Sequence, residues 1–146
     1  MRGRWIAGLI LAMAVVGCGG DGTLHVSGKI SFNGKPVPAG MVYIIPDSTK
    51  GQSGTSGYAK IVDGVYDTSL EGGHGVTPGP VTFAIEGIDP SGPPPKADSE
   101  VTARVLFPRY EKKMDLTAAN AKQDFEVPAS AAKGPTAPKG GPIITP

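Results

Sequence analysis

The chain has 146 residues with 14 basic and 13 acidic side chains, a formal charge of +1, and a single cysteine. That balance supplies no basic field to hold nucleic acid, and one cysteine cannot build an internal disulfide framework, so stability has to come from a packed core. Glycine (22) and proline (15) make up about a quarter of the residues, near the level of low complexity. They punctuate short apolar runs in the middle and gather at 128–146, the distribution of one domain with a polar end.

In chain order, "MRGR" (1–4) is basic and "WIAGLILAMAVV" (5–16) is almost wholly apolar. A short basic segment, an apolar run of this length and then small residues form a secretory signal. A permanent span needs roughly 20 apolar residues, so this run is too short to serve as one. Val15-Val16-Gly17-Cys18 resembles the bacterial lipobox, with an aliphatic residue three places before the cysteine and a small one directly before it. The resemblance implies cleavage between Gly17 and Cys18, a diacylglycerol on the Cys18 sulfur and a further acyl chain on the new amino group. Two or more chains anchor stably where one is marginal. Losing 1–17 removes Arg2, Arg4 and the only tryptophan, Trp5, and leaves 12 basic against 13 acidic residues. Residues 18–23 become a lipidated tether whose five residues after the cysteine reach at most about 18 Å. The chain is thus expected in the cell envelope as a membrane-anchored lipoprotein. Gly19, where an aspartate would retain it at the inner membrane in some bacteria, favours the outer membrane under that sorting rule.

From Leu24 the period is two. In "LHVSGKISF" Val26, Gly28, Ile30 and Phe32 share one face and His25, Ser27, Lys29 and Ser31 the other, the mark of a half-buried strand. Asn33-Gly34 suits a tight turn. "MVYIIP" (41–46) is a short strand that Pro46 ends. "YAKIVDGVYDTS" (58–69) reads as a hairpin about Asp63-Gly64, pairing Val62 with Val65, Ile61 with Tyr66, and Lys60 with Asp67. "PGPVTFAIEG" (78–87) alternates with Val81, Phe83 and Ile85 inward. Residues 89–100 are a proline-rich loop, and 101–107 are ambiguous. "DLTAANAKQDFEV" is expected to hold a closing pair of strands that buries Leu116, Phe125 and Val127. The segment 128–146 lacks hydrophobic periodicity and reads as disordered, and its Pro135/Pro138 spacing reads as solvated tail.

Short strands with regular turn signals and no amphipathic helix suggest a β-sandwich. The motifs "VSGKISFNGKPVPAG", "DGVY", "PGPVTFAIEG" and a later Pro108-x-Tyr110 followed by Phe125 resemble the carboxypeptidase regulatory-like, transthyretin-like domains of small bacterial lipoproteins. Val26, Gly28, Asn33, Gly34, Lys35, Pro36, Asp63, Gly64, Tyr66, Pro78 and Gly79 fall on the motif positions, while Val81 stands where an aromatic is usual. The resemblance implies an all-β chain with one transthyretin-like (Ig-like, Greek-key) sandwich over 24–127. The matched positions are turn and core positions, so the resemblance carries over no catalytic residue.

Chemistry is hard to find in the sequence. His25 and His74 read as surface histidines, and no cluster has metal-ligand spacing. No serine lies in a Gly-x-Ser-x-Gly elbow, and "GQSGTSG" (51–57) opens no helix that could cradle phosphate. A Lys29–Asn120 isopeptide bond would need a desolvated lysine, yet parity puts Lys29 on the outer face. The expectation is a non-enzymatic, cofactor-free, structural or protein-binding envelope protein. Its partners would be the membrane, through acylated Cys18, and an envelope protein engaging an edge strand or the tail. The alternative is a glycan- or small-ligand-binding module, for which Tyr43 and Tyr58 are the candidate stacking residues.

Overall fold

Alternating side chains and two Gly-containing turns generate nearly all of the ordered structure. The computed structural model describes residues 22–92 and 104–133. The Gly17–Cys18 bond, the lipidation site Cys18, residues 93–100 of the expected loop, residues 101–103 of the ambiguous stretch and the Pro135/Pro138 segment lie outside the described residues. The described chain is all-β. Its strands are β1 (Ser27–Phe32), β2 (Lys35–Pro36), β3 (Ala39–Pro46), β4 (Gly57–Val62), β5 (Val65–Asp67), β6 (Gly79–Asp89), β7 (Arg104–Leu116) and β8 (Phe125–Val127). Three short 3-10 segments complete it: Ser48–Lys50, Ala118–Asn120 and Ala129–Lys133.

Across the sheet the order is β8-β1-β5-β4-β3-β6-β7, with β2 hairpinned onto β1 beside β5. Every pairing is antiparallel except β1 with β8. The sheet curls until its two ends meet face to face. Phe83 of β6 lies 4.9 Å from Phe125 of β8, and Phe32 of β1 lies 5.2 Å from Phe107 of β7, ring centre to ring centre. Both contacts are tilted, as aromatic quadrupoles prefer. Between them lie Ile30, Val42, Ile44, Ile61, Ile85 and Leu116, all buried. Val26, Ile30, Ala59, Ile61, Val81, Phe83 and Ile85 point inward as the alternation predicts.

Both turn signals are type I′. Asn33 and Gly34 have φ of 51° and 74°, and Asp63 and Gly64 have 50° and 78°, the positive angles this turn requires. Val62 faces Val65 and Ile61 faces Tyr66 as expected, but the ladder stops there. Lys60 does not pair with Asp67. Asp67 lies opposite Ser27 of β1, and its carboxylate accepts from the Ser69 amide (2.8 Å) and hydroxyl (2.6 Å). A turn donor two residues away costs less ordering entropy than a long lysine would.

The closing strands also differ from the expectation. Leu116, Phe125 and Val127 are buried, but they do not belong to one pair of strands. Leu116 ends β7, which begins at Arg104 and runs along β6, while β8 crosses over to pair with β1 in parallel. Pro108 and the charged run "RYEKKMD" obscure β7 in the sequence, because edge strands are commonly charged to resist further pairing. Lys112, opposite inward-facing Phe83, is exposed all the same. Residues Ala129–Lys133, placed by sequence in the disordered tail, form a 3-10 segment with Ala131 packed against the core.

One tie holds the closure. Gly28 faces Tyr66, whose hydroxyl donates to Gln123 O at 2.9 Å on the far side of β1. A Cβ on Gly28 would lie 1.8 Å from that same oxygen. The glycine of the first strand and the tyrosine of the hairpin therefore serve a single close approach. Burial first, then the Asp124 carboxylate, pushes the Tyr66 phenol far above its ordinary pKa. It stays a neutral donor.

Candidate functional site

The sheet's outer face carries the features that core packing leaves unexplained. Strand β3 is apolar on both sides: Val42 and Ile44 fill the core, while Ala39, Met41, Tyr43 and Ile45 project outward. A half-solvated antiparallel strand ordinarily alternates with polar residues. The continuous run "AGMVYIIP" was the available sequence signal, and its lack of polar alternates marks an outer face with apolar character.

Tyr43 and Tyr58 stand directly opposite each other on β3 and β4. On one side, the Tyr58 segment bridges His74, and their rings stack at 5.8 Å with planes 22° apart. On the other, Tyr43 faces Ala84 of β6, and Ala84 faces Glu111 of β7. Ala84 is fully buried although it points outward, and Tyr43 and Glu111 flank it. The result is a row, His74–Tyr58–Tyr43–Ala84–Glu111, running across the strands. Tyr58 is 41% exposed and Tyr43 is half-buried. The His74 Nδ1 donates to Gly75 O at 2.7 Å, which holds the ring in its stack on Tyr58.

Polar groups border the row. Arg109 bridges Glu86 at 3.5 Å and Glu111 at 2.9 Å; such exposed pairs add little stability, but they fix donors and acceptors beside the rings. Toward the Asp63-Gly64 turn, Ala39, Met41, Lys60, Val62 and Glu86 line a shallow groove of about 520 Å³. Lys60 and Val62 also border a second depression of about 240 Å³, so the two surfaces are continuous. Met41, Ile45, Val62, Val65, Leu70 and His74 belong to this face but were not singled out from the sequence as part of any binding surface, because they adjoin only through cross-strand register and loop placement.

The shifted carboxylates serve turns. Hydroxyls two residues downstream, at Thr49, Ser69 and Ser91, hold the carboxyls of Asp47, Asp67 and Asp89 below the usual range, each helped by the amide of the same residue. Glu126 is lowered by the Ser31 hydroxyl and then by the Gly34 amide. Three Asp-x-Ser or Asp-x-Thr turns and one cross-strand contact account for these shifts without a reaction centre. His25 and His74 are both exposed, and among the described residues no three of His, Cys, Asp and Glu converge as a metal site would. Lys29 is exposed, and the Asn120 side chain is held by Thr117 and Asp115, so the two do not meet in a buried pair. Among the described residues no helix is long and apolar enough to cross a membrane.

Family models, curated proteins and solved structures give no match to this chain.

Proposed function

We propose that the chain is a non-enzymatic, lipid-anchored cell-envelope protein whose transthyretin-like β-sandwich binds a partner protein through its outer face. The observation that carries the binding role is β3, whose Ala39, Met41, Tyr43 and Ile45 face outward from a strand whose inner side is already filled. An outward apolar strip, half-buried at Ala39, Met41 and Tyr43 and exposed at Ile45, suits an interaction site. The anchored part rests on Val15–Cys18 and the apolar run before it, and the sandwich assignment is supported by the curled ends packing ring against ring. Intact mass of the protein from host membranes tests the anchor: residues 18–146 plus acyl chains, lost on Cys18→Ala, is the expected result. An unmodified soluble mass would reject it. A photo-crosslinker at Ile45 should capture one envelope protein from intact cells, and Met41→Asp should abolish capture. Equal capture by that variant would reject the face.

The direct pairing of Tyr43 with Tyr58 favours a second reading, a glycan-binding module in envelope nutrient handling. Aromatic rings aligned on one exposed face suit stacking against sugar rings. Glycan-array binding abolished by Tyr43→Ala would establish it, and silence on the array would leave the protein-binding reading.

A further inference from the structure

Three rows cross the outer face, each centred on one β3 side chain. Ala39 lies between Val62 of β4 and Ile88 of β6, Met41 between Lys60 and Glu86, and Tyr43 between Tyr58 and Ala84. The first row is apolar throughout, with Val65 of β5 and Val105 of β7 at its margins. Val105 belongs to it only because the β6–β7 ladder shifts register between Gly87 and Ile88. Phe107 of the same strand is buried in the core, so unbroken alternation would turn Val105 inward. The irregularity re-aims it, and it is 46% exposed.

The second row carries opposite charges on the two strands that flank β3. Glu86 is bridged by Arg109, whereas Lys60 makes no ion pair among the described residues. Such a row is complementary to itself turned over. A two-fold axis lying along β3 in the plane of the face sets β4 of each copy against β6 of the other. Lys60 then meets the copy's Glu86 twice, Val62 meets the copy's Ile88 twice, and Met41 meets its own counterpart. The groove of about 520 Å³ beside Met41 is irregular space that flexible thioether chains fill well. This axis leaves the strand direction unchanged, so the two sheets pack aligned, as facing sheets commonly do. A two-fold across the strands would return β4 to β4 and β6 to β6, and no opposite charges would match.

The entry of the chain selects the same axis. Leu24 and Val76 exchange backbone hydrogen bonds of 2.7 and 3.0 Å, and His74 bridges Tyr58. The chain therefore enters at the Tyr58 end of β4, away from the Asp63-Gly64 turn. An axis along β3 keeps these ends together in both copies, so two tethers that each reach at most about 18 Å serve one bilayer. An axis across the strands would send them to opposite ends of the pair.

We infer that the partner on the outer face is a second copy of this chain, related by a two-fold axis along β3 and held by Lys60 of each copy against Glu86 of the other. This names the partner within the protein-binding reading of the face and rests on that reading. The full chain is produced in its host with two different tags, and co-purification from solubilised cells reads the association. Lys60→Glu sets carboxylate against carboxylate, and Glu86→Lys sets amine against amine. Either variant should co-purify with itself about tenfold less than the unsubstituted chain does. Produced together, the two variants form opposite charges at both contacts, and their co-purification should return. That recovery also shows that neither variant has merely failed to fold.

Undiminished self-association of Lys60→Glu, or no recovery when the variants are combined, would overturn the inference. In intact cells a short bismaleimide should join Ile45→Cys to itself and Ala39→Cys to itself, with the unsubstituted chain, bearing Cys18 alone, as the blank. A link between Ala39→Cys and Ile45→Cys in place of the self-links would overturn the axis. If a photo-crosslinker at Ile45 captures a different protein and no second copy, the inference falls and the protein-binding reading stands. Capture of nothing there rejects both.

Discussion

Tyr66 and Tyr58 belong to the same β4–β5 hairpin but face opposite ways. Tyr66 points inward, and its hydroxyl is spent on Gln123 O past the bare backbone of Gly28. Tyr58 points outward, stacks on His74 and faces Tyr43, within a surface that the protein's own core does not require. Strand parity alone assigns one phenol to closing the sheet and leaves the other open to contact. Side-chain identity carries no such information, because a half-turn of the strand would exchange the two roles. The inner region should therefore answer to stability measurements and the outer region to binding measurements.

The strongest way to break the inner region is Gly28→Ala. Its methyl would occupy space held by a backbone carbonyl rather than a flexible side chain. The loss should reach about 3 kcal/mol or more, at or above the top of the overpacking range, read as a fall in the denaturant midpoint. Tyr66→Phe is gentler, because it keeps the ring and removes only the hydroxyl that satisfies Gln123 O. Denaturant unfolding should show a loss of about 1–2 kcal/mol, and no loss would mean that water replaces the phenol.

On the outer face, Tyr43→Ala and Tyr58→Ala should each cost under about 1 kcal/mol, the scale of one cross-strand pair, while removing most partner or glycan binding. Equal losses of stability in the two regions would erase the distinction between them. The smallest effect is acid sensitivity. Glu126 joins β8 to the β1–β2 turn through the Ser31 hydroxyl and the Gly34 amide, which hold its carboxyl below the usual range. A depressed folded-state pKa contributes stability above the unfolded value, and that contribution fades as pH falls through the folded one. Thermal midpoints should thus be insensitive to this group from pH 7 to 5 and fall below about pH 4. Glu126→Gln should flatten that fall slightly.

Much of the fold could be read in advance where the signal was local. Alternation in "LHVSGKISF" and "PGPVTFAIEG" and the two Gly-containing turns each depend on a few adjacent residues, so the strands and turns follow from short stretches. Strand β7 was obscured because an edge strand is protected by charges and Pro108, the same residues that make it look like a loop. The candidate face was only half legible. Tyr43 and Tyr58 stood out as aromatics with no core position assigned, but His74, 16 residues beyond Tyr58 in the sequence, gave no sign of stacking on it.

The sequence by itself determined the period of the early strands, the places of the two Gly-containing turns, most of the inward set and the lipobox-like Val15–Cys18, because each is written within one turn or one strand of chain. Only the tertiary structure decided the parallel pairing of β8 with β1, the Gly28–Tyr66–Gln123 tie and the row from His74 to Glu111. These depend on which strands become neighbours and in what register. That choice is settled by how the whole core packs when the sheet curls, which no short stretch of sequence encodes.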